Sequence, residues 1–401
     1  MKVAILGFGV VGSGTARMLT ENAPLLAARA GKEIEIKYIV DVRDFPDSPF
    51  AHLITKDFSL VENDPEVEVV IEVIGGATVA YDFTKRALLA GKSVVTSNKE
   101  LVATHGIELL QVAKEKGCFY LFEAAVGGGI PVLSPLVNDV AHNEISEVSG
   151  ILNGTTNYIL TRMFSSGASF EAALAEAQAK GYAEKDPTAD VEGIDAARKT
   201  AILAALASGV MVDGDKIHTE GISGIRAEDV AAAASIGYSI KLLGRYLRTD
   251  SGDTFLLVAP FLLPSDCPLS FISDVYNGVL VKGNYVGDVM FYGRGAGSDP
   301  TASAVVADVD KLARGAAYRH AFHAAEDGTP TDFSFFFARR YVAVEGVDTG
   351  ATEIVFGETT PISAEENAFL TCEMSEKDFA ARVKRLEACG GRVVSHIRLY
   401  R

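Results

Sequence analysis

Val3-Ala4-Ile5-Leu6-Gly7-Phe8-Gly9-Val10-Val11-Gly12 opens the chain as a short apolar run that ends in a glycine-spaced turn. Within an expected strand Lys2 to Gly7, Val3 to Leu6 is continuously apolar rather than alternating, as in a strand buried on both faces. In the GxGxxG spacing the first glycine permits a tight turn and the second lets a pyrophosphate approach the backbone. The third lets the next helix pack closely on the strand. That helix, expected over Val10 to Ala30, would turn unpaired N–H groups and the positive end of its dipole toward the phosphates. Gly7, Phe8, Gly9, Val10, Val11 and Gly12 are therefore candidate dinucleotide-binding residues.

Outward from this turn, strands and helices alternate. Ile34 to Val40 reads as a second strand ending at Asp41, and Val67 to Ile74 as a third stopped by Gly75-Gly76. Ser93 to Thr96 reads as a fourth strand and Cys118 to Val126 as a fifth. Helices are expected at Tyr81 to Ala90 and at Glu100 to Lys116, the latter closed by Gly117. This alternation predicts an α/β chain with a Rossmann-like, doubly wound parallel sheet.

The rhythm changes after Gly127-Gly128-Gly129. Strand-like Ile145 to Leu152 meets the turn Asn153-Gly154-Thr155-Thr156, and helices are expected at Asn157 to Phe164, Ser169 to Lys180 and Ile194 to Ser208. Alternating stretches follow at Ile240 to Arg248, Thr254 to Leu263, Val275 to Lys282 and Tyr285 to Phe291, with Gly283-Asn284 as a hairpin signal. This reads as an inserted α+β domain with an antiparallel sheet. A second glycine loop, Gly293 to Gly297, precedes a helix expected at Thr301 to Arg314, and the polar stretch Gly328 to Asp332 reads as a linker. In the tail, strands are expected at Phe333 to Val344, Glu353 to Phe356, Asn367 to Glu373 and Arg392 to Leu399, with a helix at Glu376 to Cys389. The expected domains are residues 1–130, completed by 295–325, then 131–294, then 330–401.

The chain has 401 residues, 48 % hydrophobic and 22 % charged, a globular composition too long for one ordinary core. A net charge of −16 repels a phosphate backbone, so nucleic acid is not an expected partner. Met1 runs straight into the first strand with no basic, apolar leader. No apolar run reaches the roughly 18 residues of a membrane span, so a cytoplasmic protein without a membrane partner is expected. Cys118, Cys267, Cys372 and Cys389 form no CxxC pair, as for free thiols in a reducing compartment. His320 and His323 are spaced HxxH without further ligands, which a solvated helix face accounts for better than a metal site.

Three groups of residues carry chemistry. Asp41, at the end of the second strand, suits a ribose 2′-hydroxyl and so NAD, whereas Arg43 suits a 2′-phosphate and so NADP; the two point in opposite directions. Ser97-Asn98-Lys99-Glu100 follows the fourth strand, where open sheets bind ligands, so Lys99 is either a site lysine or a surface lysine starting a helix. Asp195 and Lys199 are spaced i, i+4 and share a helix face, as a surface ion pair or a partly buried catalytic pair would. Upstream, Glu184, Asp186, Asp190 and Glu192 crowd with Lys185 into a short turn that suits an ammonium-bearing substrate or is simply a polar loop.

Longer stretches carry a family resemblance. Gly181-Tyr182-Ala183-Glu184-Lys185-Asp186-Pro187-Thr188-Ala189-Asp190-Val191-Glu192-Gly193-Ile194-Asp195-Ala196-Ala197-Arg198-Lys199 resembles the signature of homoserine dehydrogenases. Glu123-Ala124-Ala125-Val126-Gly127-Gly128-Gly129-Ile130-Pro131, Gly150-Ile151-Leu152-Asn153-Gly154-Thr155-Thr156-Asn157-Tyr158, Val94-Val95-Thr96-Ser97-Asn98-Lys99 and Gly295-Ala296-Gly297 are similar to that family as well. The resemblance runs in order from the first strand to about residue 315. It implies an NAD(P)-dependent interconversion of L-homoserine and L-aspartate 4-semialdehyde, in threonine and methionine biosynthesis. It also implies a homodimer or homotetramer, with residues 131–294 binding substrate and forming the contact between copies.

By the same resemblance Glu184 and Asp195 bind homoserine, Asp190 and Tyr182 support that pocket, and Lys199 moves the proton with Lys99 beside it. Gly75, Asn98 and Gly297 join the cofactor site. A monovalent cation, usually sodium, is implied at oxygens of Glu123, Val126, Gly128 and Ile130, mostly backbone carbonyls.

Many members of the family end in an ACT domain, a βαββαβ module that often binds threonine. The final helix and strand here resemble its second half, but the usual glycine–valine helix start is missing and Val347 to Thr352 is short and polar. A truncated ACT-like unit without threonine feedback is therefore expected, and no aspartate kinase domain is expected ahead of the first strand. Two rival readings are weaker. An aspartate-semialdehyde dehydrogenase needs a cysteine nucleophile, and none of the four cysteines has a catalytic-looking glycine or histidine context. A non-enzymatic cofactor sensor has no use for the dense polar cluster from Glu184 to Lys199.

Overall fold

The computed structural model describes residues 1–326, 329–363 and 367–401. The chain divides into two compact units, residues 1–144 with 201–214 and 291–325, and residues 145–200 with 215–290 and 326–401. Gly328, in the expected linker, lies outside the described residues.

The first unit is built on β1 (Lys2–Leu6), β2 (Glu35–Val40), β3 (Ile54–Thr55), β4 (Val67–Glu72), β5 (Ser93–Thr96) and β6 (Tyr120–Leu121). They pair in parallel in the order β3-β2-β1-β4-β5-β6. β1 sits centrally, and Val3, Ala4, Ile5 and Leu6 are wholly buried, which is why the run carries no polar residue. Two departures from the sequence reading are local. The expected helix Val10 to Ala30 is two helices, Val10–Glu21 and Ala23–Ala30, broken at Asn22 because Pro24, in the first turn of the second helix, has no N–H to continue the first. The expected fifth strand shrinks to β6, because the chain enters a 3-10 turn at Glu123–Ala125. Strand β3 was not anticipated.

The helix Ser298–Ala313 returns to this unit and lies against Val10–Glu21, with Ser298 Oγ donating to the Val10 carbonyl at 2.9 Å. His320 and His323 are not on a helix. His320 is buried and stacked on Phe122 at 4.1 Å, and His323 pairs with Val210 in a short ladder. Burial pushes the thiols of Cys118 and Cys267 up from their ordinary range, which suits packing rather than nucleophilic attack. Among the described residues no group of three or more His, Cys, Asp or Glu side chains forms a metal cluster, and no helix is long and apolar enough to cross a membrane.

The second unit carries β7 (Ile145–Ile151), β8 (His218–Thr219), β9 (Tyr238–Arg248), β10 (Thr254–Pro264), β11 (Tyr276–Gly283), β12 (Gly287–Arg294), β13 (Arg340–Glu345), β14 (Thr359–Ser363), β15 (Ala368–Thr371) and β16 (Arg392–Leu399). Among the described residues these form a ten-stranded sheet in the order β12-β11-β7-β9-β10-β16-β13-β15-β14, with β8 paired to β10. β9 and β10 pair antiparallel from Tyr238↔Pro264 to Arg248↔Thr254, as expected for this half, but both are buried along most of their length rather than on alternate residues. Helices Gly154–Ser166, Phe170–Ala179 and Ile194–Ser208 fall close to their expected places.

The tail departs from its reading in two ways. Glu353 to Phe356, expected as a strand, belongs to the helix Thr349–Phe356. Asp348 starts that helix in place of a glycine–valine turn, accepting from the Ala351 amide at 2.8 Å. The tail is therefore a full βαββαβ succession rather than a truncated one, with sheet order β16-β13-β15-β14. It also shares the sheet of the second unit, because β16 pairs parallel with β10 through Phe261↔Arg398 and Leu262↔Leu399.

Candidate active site

The first unit supplies a dinucleotide cradle. Gly7 has φ +92°, and a Cβ on Gly12 would stand 2.0 Å from the Gly7 carbonyl oxygen, so the turn closes only with glycine at both places. Gly9 precedes the Val10–Glu21 helix, whose N-terminus faces this turn. Asp41 points inward. Its Oδ2 accepts from the Phe8 amide at 2.7 Å and from Arg43 Nη2 at 2.9 Å, and its Oδ1 accepts from Arg43 Nε at 3.0 Å. The Arg43 side chain beside it holds the Asp41 carboxyl well below the usual range. Arg43 itself keeps 59 % of its side chain exposed, and Nη2 lies 3.9 Å from where a Gly9 Cβ would stand. A cation thus hangs beside the glycine turn while the acid is tucked beneath it.

At the carboxyl ends of β4 and β5 the wholly buried Glu72 ties two loops together. Its Oε1 accepts from the Ile74 amide at 2.6 Å and its Oε2 from Thr96 Oγ1 at 2.5 Å. Thr96 Oγ1 in turn accepts from the Asn98 amide at 2.9 Å. Asn98 donates through Nδ2 to the carbonyls of Ile74, at 3.1 Å, and Gly76, at 2.7 Å, while Oδ1 caps the next helix by accepting from Leu101 N at 3.0 Å. The loop holding Gly75 and the turn holding Asn98 and Lys99 are thereby one unit. Burial pushes the Glu72 carboxyl up to about 7 against the two hydrogen bonds.

The loop after β6 is equally constrained. Glu123 spends its carboxylate on the amides of Leu133 and Ser134, at 2.8 Å each, and its own amide donates to Asp308 Oδ2 at 2.8 Å. Gly128 has φ +55°, and a Cβ there would fall 2.5 Å from the Gly295 carbonyl, so the two glycine loops touch through bare backbone. Gly297, at φ +117°, starts the helix Ser298–Ala313.

The second unit brings Asp190, Asp195 and Lys199 together. Lys199 Nζ donates to Asp195 Oδ2 and to the Leu152 carbonyl, both at 2.7 Å, and each side chain of the pair is only 11 % exposed. A solvated surface pair would not be this enclosed. Asn153, the cap of Gly154–Ser166, donates through Nδ2 to Asp190 Oδ1 at 2.7 Å and to Asp195 Oδ2 at 3.0 Å. Tyr182 packs edge-on against Tyr158 at 5.0 Å, and its carbonyl accepts from Thr155 Oγ1 at 2.7 Å. Glu184 is exposed and anchored by its carbonyl, which accepts from Gln178 Nε2 at 3.0 Å. Both of these hydrogen bonds run through backbone carbonyls.

Two members of these clusters were not anticipated. Asn153 was legible only as a turn residue, though an Asn before a helix start is a capping signal. Glu72 sat inside an apolar strand, where a lone acid is the available clue.

A parallel sheet with a glycine cradle at the end of β1 defines a dinucleotide-binding protein of the Rossmann type. A family model described as "Homoserine dehydrogenase" matches residues 131–309, and one described as "Homoserine dehydrogenase, NAD binding domain" matches residues 7–123. A homoserine dehydrogenase of Pseudomonas aeruginosa is 48 % identical over 315 residues, which cover 78 % of this chain and 72 % of that protein. Its counterpart in Synechocystis is 44 % identical, over 77 % of this chain and 72 % of the relative. The solved homoserine dehydrogenase of Thiobacillus denitrificans superposes with a TM-score of 0.91 at 36 % identity, covering 100 % of this chain and 98 % of that one. A hyperthermophilic archaeal homoserine dehydrogenase mutant, solved in complex with NADPH, gives 0.66 at 27 % identity over 77 % of this chain and 96 % of that one. The chain belongs to the homoserine dehydrogenase family, whose members interconvert L-homoserine and L-aspartate 4-semialdehyde with NAD(P).

Proposed function

We propose that Lys199 is the proton-transfer residue of this homoserine dehydrogenase, with Asp195 and Glu184 binding homoserine and with Asp190, Tyr182 and Asn153 supporting them. The observation that carries this reading is the enclosed Lys199–Asp195 pair, bridged to Asp190 by Asn153. Carboxylates suit the substrate ammonium, and Asp195 orients Lys199 toward the substrate oxygen. In the reductive direction Lys199 donates its proton to the oxygen that becomes the homoserine hydroxyl, stabilising negative charge as it develops there. In oxidation it removes that proton. Lys99, at the turn fastened by Glu72 and Asn98, is the second cation of the reaction.

The residues of the first unit fit a dinucleotide, since the glycine turn leaves no room for a Cβ and opens onto a helix N-terminus. A nicotinamide held there would supply hydride transfer chemistry at the carbon that bears the homoserine hydroxyl. Gly7, Phe8, Gly9, Val10, Val11 and Gly12 hold the pyrophosphate, and Gly75, Asn98, Lys99 and Gly297 meet the rest of the cofactor. The turned-in Asp41 and exposed Arg43 favour NADP, because the group presented at the ribose end is a cation. By the family resemblance, a sodium ion would be held on the loop after β6 by oxygens of Glu123, Val126, Gly128 and Ile130. Of Glu123 only the carbonyl serves, because the carboxylate is committed to two amides.

A cytoplasmic homo-oligomer is the assembly we favour. The hairpin β11–β12 exposes Tyr285 and Met290, apolar surface that suits a second copy. Initial rates with homoserine and with NAD or NADP separately, on wild type and Lys199→Ala, test the central reading. Equal turnover in the variant overturns it.

A further inference from the structure

We propose that Arg398 is a positioning residue for the substrate loop, so that the C-terminal βαββαβ segment forms part of the scaffold that shapes homoserine affinity. This rests on the assignment of the Glu184–Lys199 segment as the homoserine site, and it adds a residue outside that segment.

Arg398 lies on β16, where that strand joins β10, and it is almost wholly buried. Its guanidinium grips two carboxylates. Nη1 and Nη2 donate to Glu220 Oε2 and Oε1 at 2.7 and 2.8 Å, a two-pronged pair, and Nε donates to Glu376 Oε1 at 2.7 Å. Buried Arg340 shares Glu376 at 2.6 Å, which fixes that carboxylate as well. A planar fork held on both sides has one orientation, and so has Glu220.

Glu220 is the start of a ledge under the substrate loop. Its amide donates to the Val258 carbonyl at 2.7 Å, which lays it along β10. One residue on, Gly221 touches the loop: a Cβ there would stand 2.5 Å from the Val191 carbonyl oxygen and 2.5 Å from Glu192 Oε2. Next, the Ile222 amide donates to the same Val191 carbonyl at 2.8 Å. Gly193, the last residue before the Ile194–Ser208 helix, packs on Val258 and Thr219, 3.0 and 3.1 Å from its would-be Cβ. The ledge therefore bears on the stretch between Asp190 and Asp195, whose carboxylates Asn153 bridges. Shifting Glu220 shifts the floor beneath both acids. Because the ledge does not include Lys199 itself, the effect falls on substrate binding before it falls on proton transfer.

Steady-state kinetics on the full chain test this, with Arg398→Lys and Glu220→Gln. Lysine keeps the charge but loses the fork, and glutamine keeps the shape but loses the charge. Each is expected to raise the homoserine KM about tenfold, with cofactor KM unchanged and kcat within about threefold. Gly221→Ala supplies an independent route, since it removes no charge and pushes on Val191 directly; the same selective rise in homoserine KM is expected. An unchanged homoserine KM in these variants, or a cofactor KM that rises equally, overturns the proposal. Glu184→Gln separates the two readings. If it raises homoserine KM while the Arg398, Glu220 and Gly221 variants do not, the site assignment stands and the positioning role fails. If Glu184→Gln also has no effect, the site assignment has failed first.

Discussion

Lys199 and Asp195 meet at 2.7 Å across one helical turn, and a second 2.7 Å contact ties the lysine to the Leu152 carbonyl. The lysine nitrogen is thus pinned by an oxygen on its own helix and by one at the end of β7. Removing it should leave binding groups in place and take away only the proton carrier. Lys199→Ala is expected to lower turnover by about 10²-fold or more, the scale of a positioned acid–base group. Stopped assays of homoserine oxidation and semialdehyde reduction should show the loss in both directions.

Asn153 separates two carboxylates while capping a helix. Asn153→Ala loses the cap, at about 1 kcal/mol, and the bridge. Asn153→Asp keeps a capping oxygen but places a third carboxylate where Nδ2 donates to Asp190 and Asp195. If the bridge matters most, kcat/KM for homoserine falls further in Asn153→Asp than in Asn153→Ala, although the Asp variant keeps the cap. The opposite ranking would assign Asn153 to the helix alone.

Arg43 offers the exposed cation beside the glycine turn. Arg43→Ala is expected to raise the KM for NADP about tenfold and to leave that for NAD nearly unchanged, since only NADP carries the 2′-phosphate. Parallel loss with both cofactors would mean that Arg43 acts by holding Asp41 rather than by reading the ribose.

Glu72 predicts a stability that depends on pH. Burial raises its carboxyl from the ordinary 4.5 to about 7 in the folded chain. Between those two values the folded state binds more protons than the unfolded state, so stability falls as pH rises and the loss is complete above the folded value. The full effect is on the order of 3 kcal/mol. Glu72→Gln should flatten the fall in thermal midpoint between pH 5 and about 8, with a residual slope of the same sign from Asp308, which burial raises to about 6. A variant whose midpoint tracks the wild type across this range would assign the slope elsewhere.

Much of the first unit was legible because its signals are local. The GxGxxG turn, the buried apolar run of β1 and the glycine that closes the helix Lys99–Lys116 each show within a few residues. The Asp195–Lys199 pair was legible for the same reason, four residues apart on one helix. Glu353 to Phe356 misled because a short apolar stretch fits strand and helix alike, and the Asp348 cap decides between them.

What the sequence determined by itself was the alternation of the first unit's main strands and helices, the glycine cradle and the family resemblance, through motifs whose parts lie close together. Only the tertiary structure decided that Asn153 bridges acids 37 and 42 residues away, that Glu72 fastens the turn before Lys99, and that Arg398 grips Glu220 across 178 residues. Periodicity reports which face of an element is buried and says nothing about which distant element covers it. A polar side chain in a core therefore acquires its partner, and its role, only when the sheets close over it.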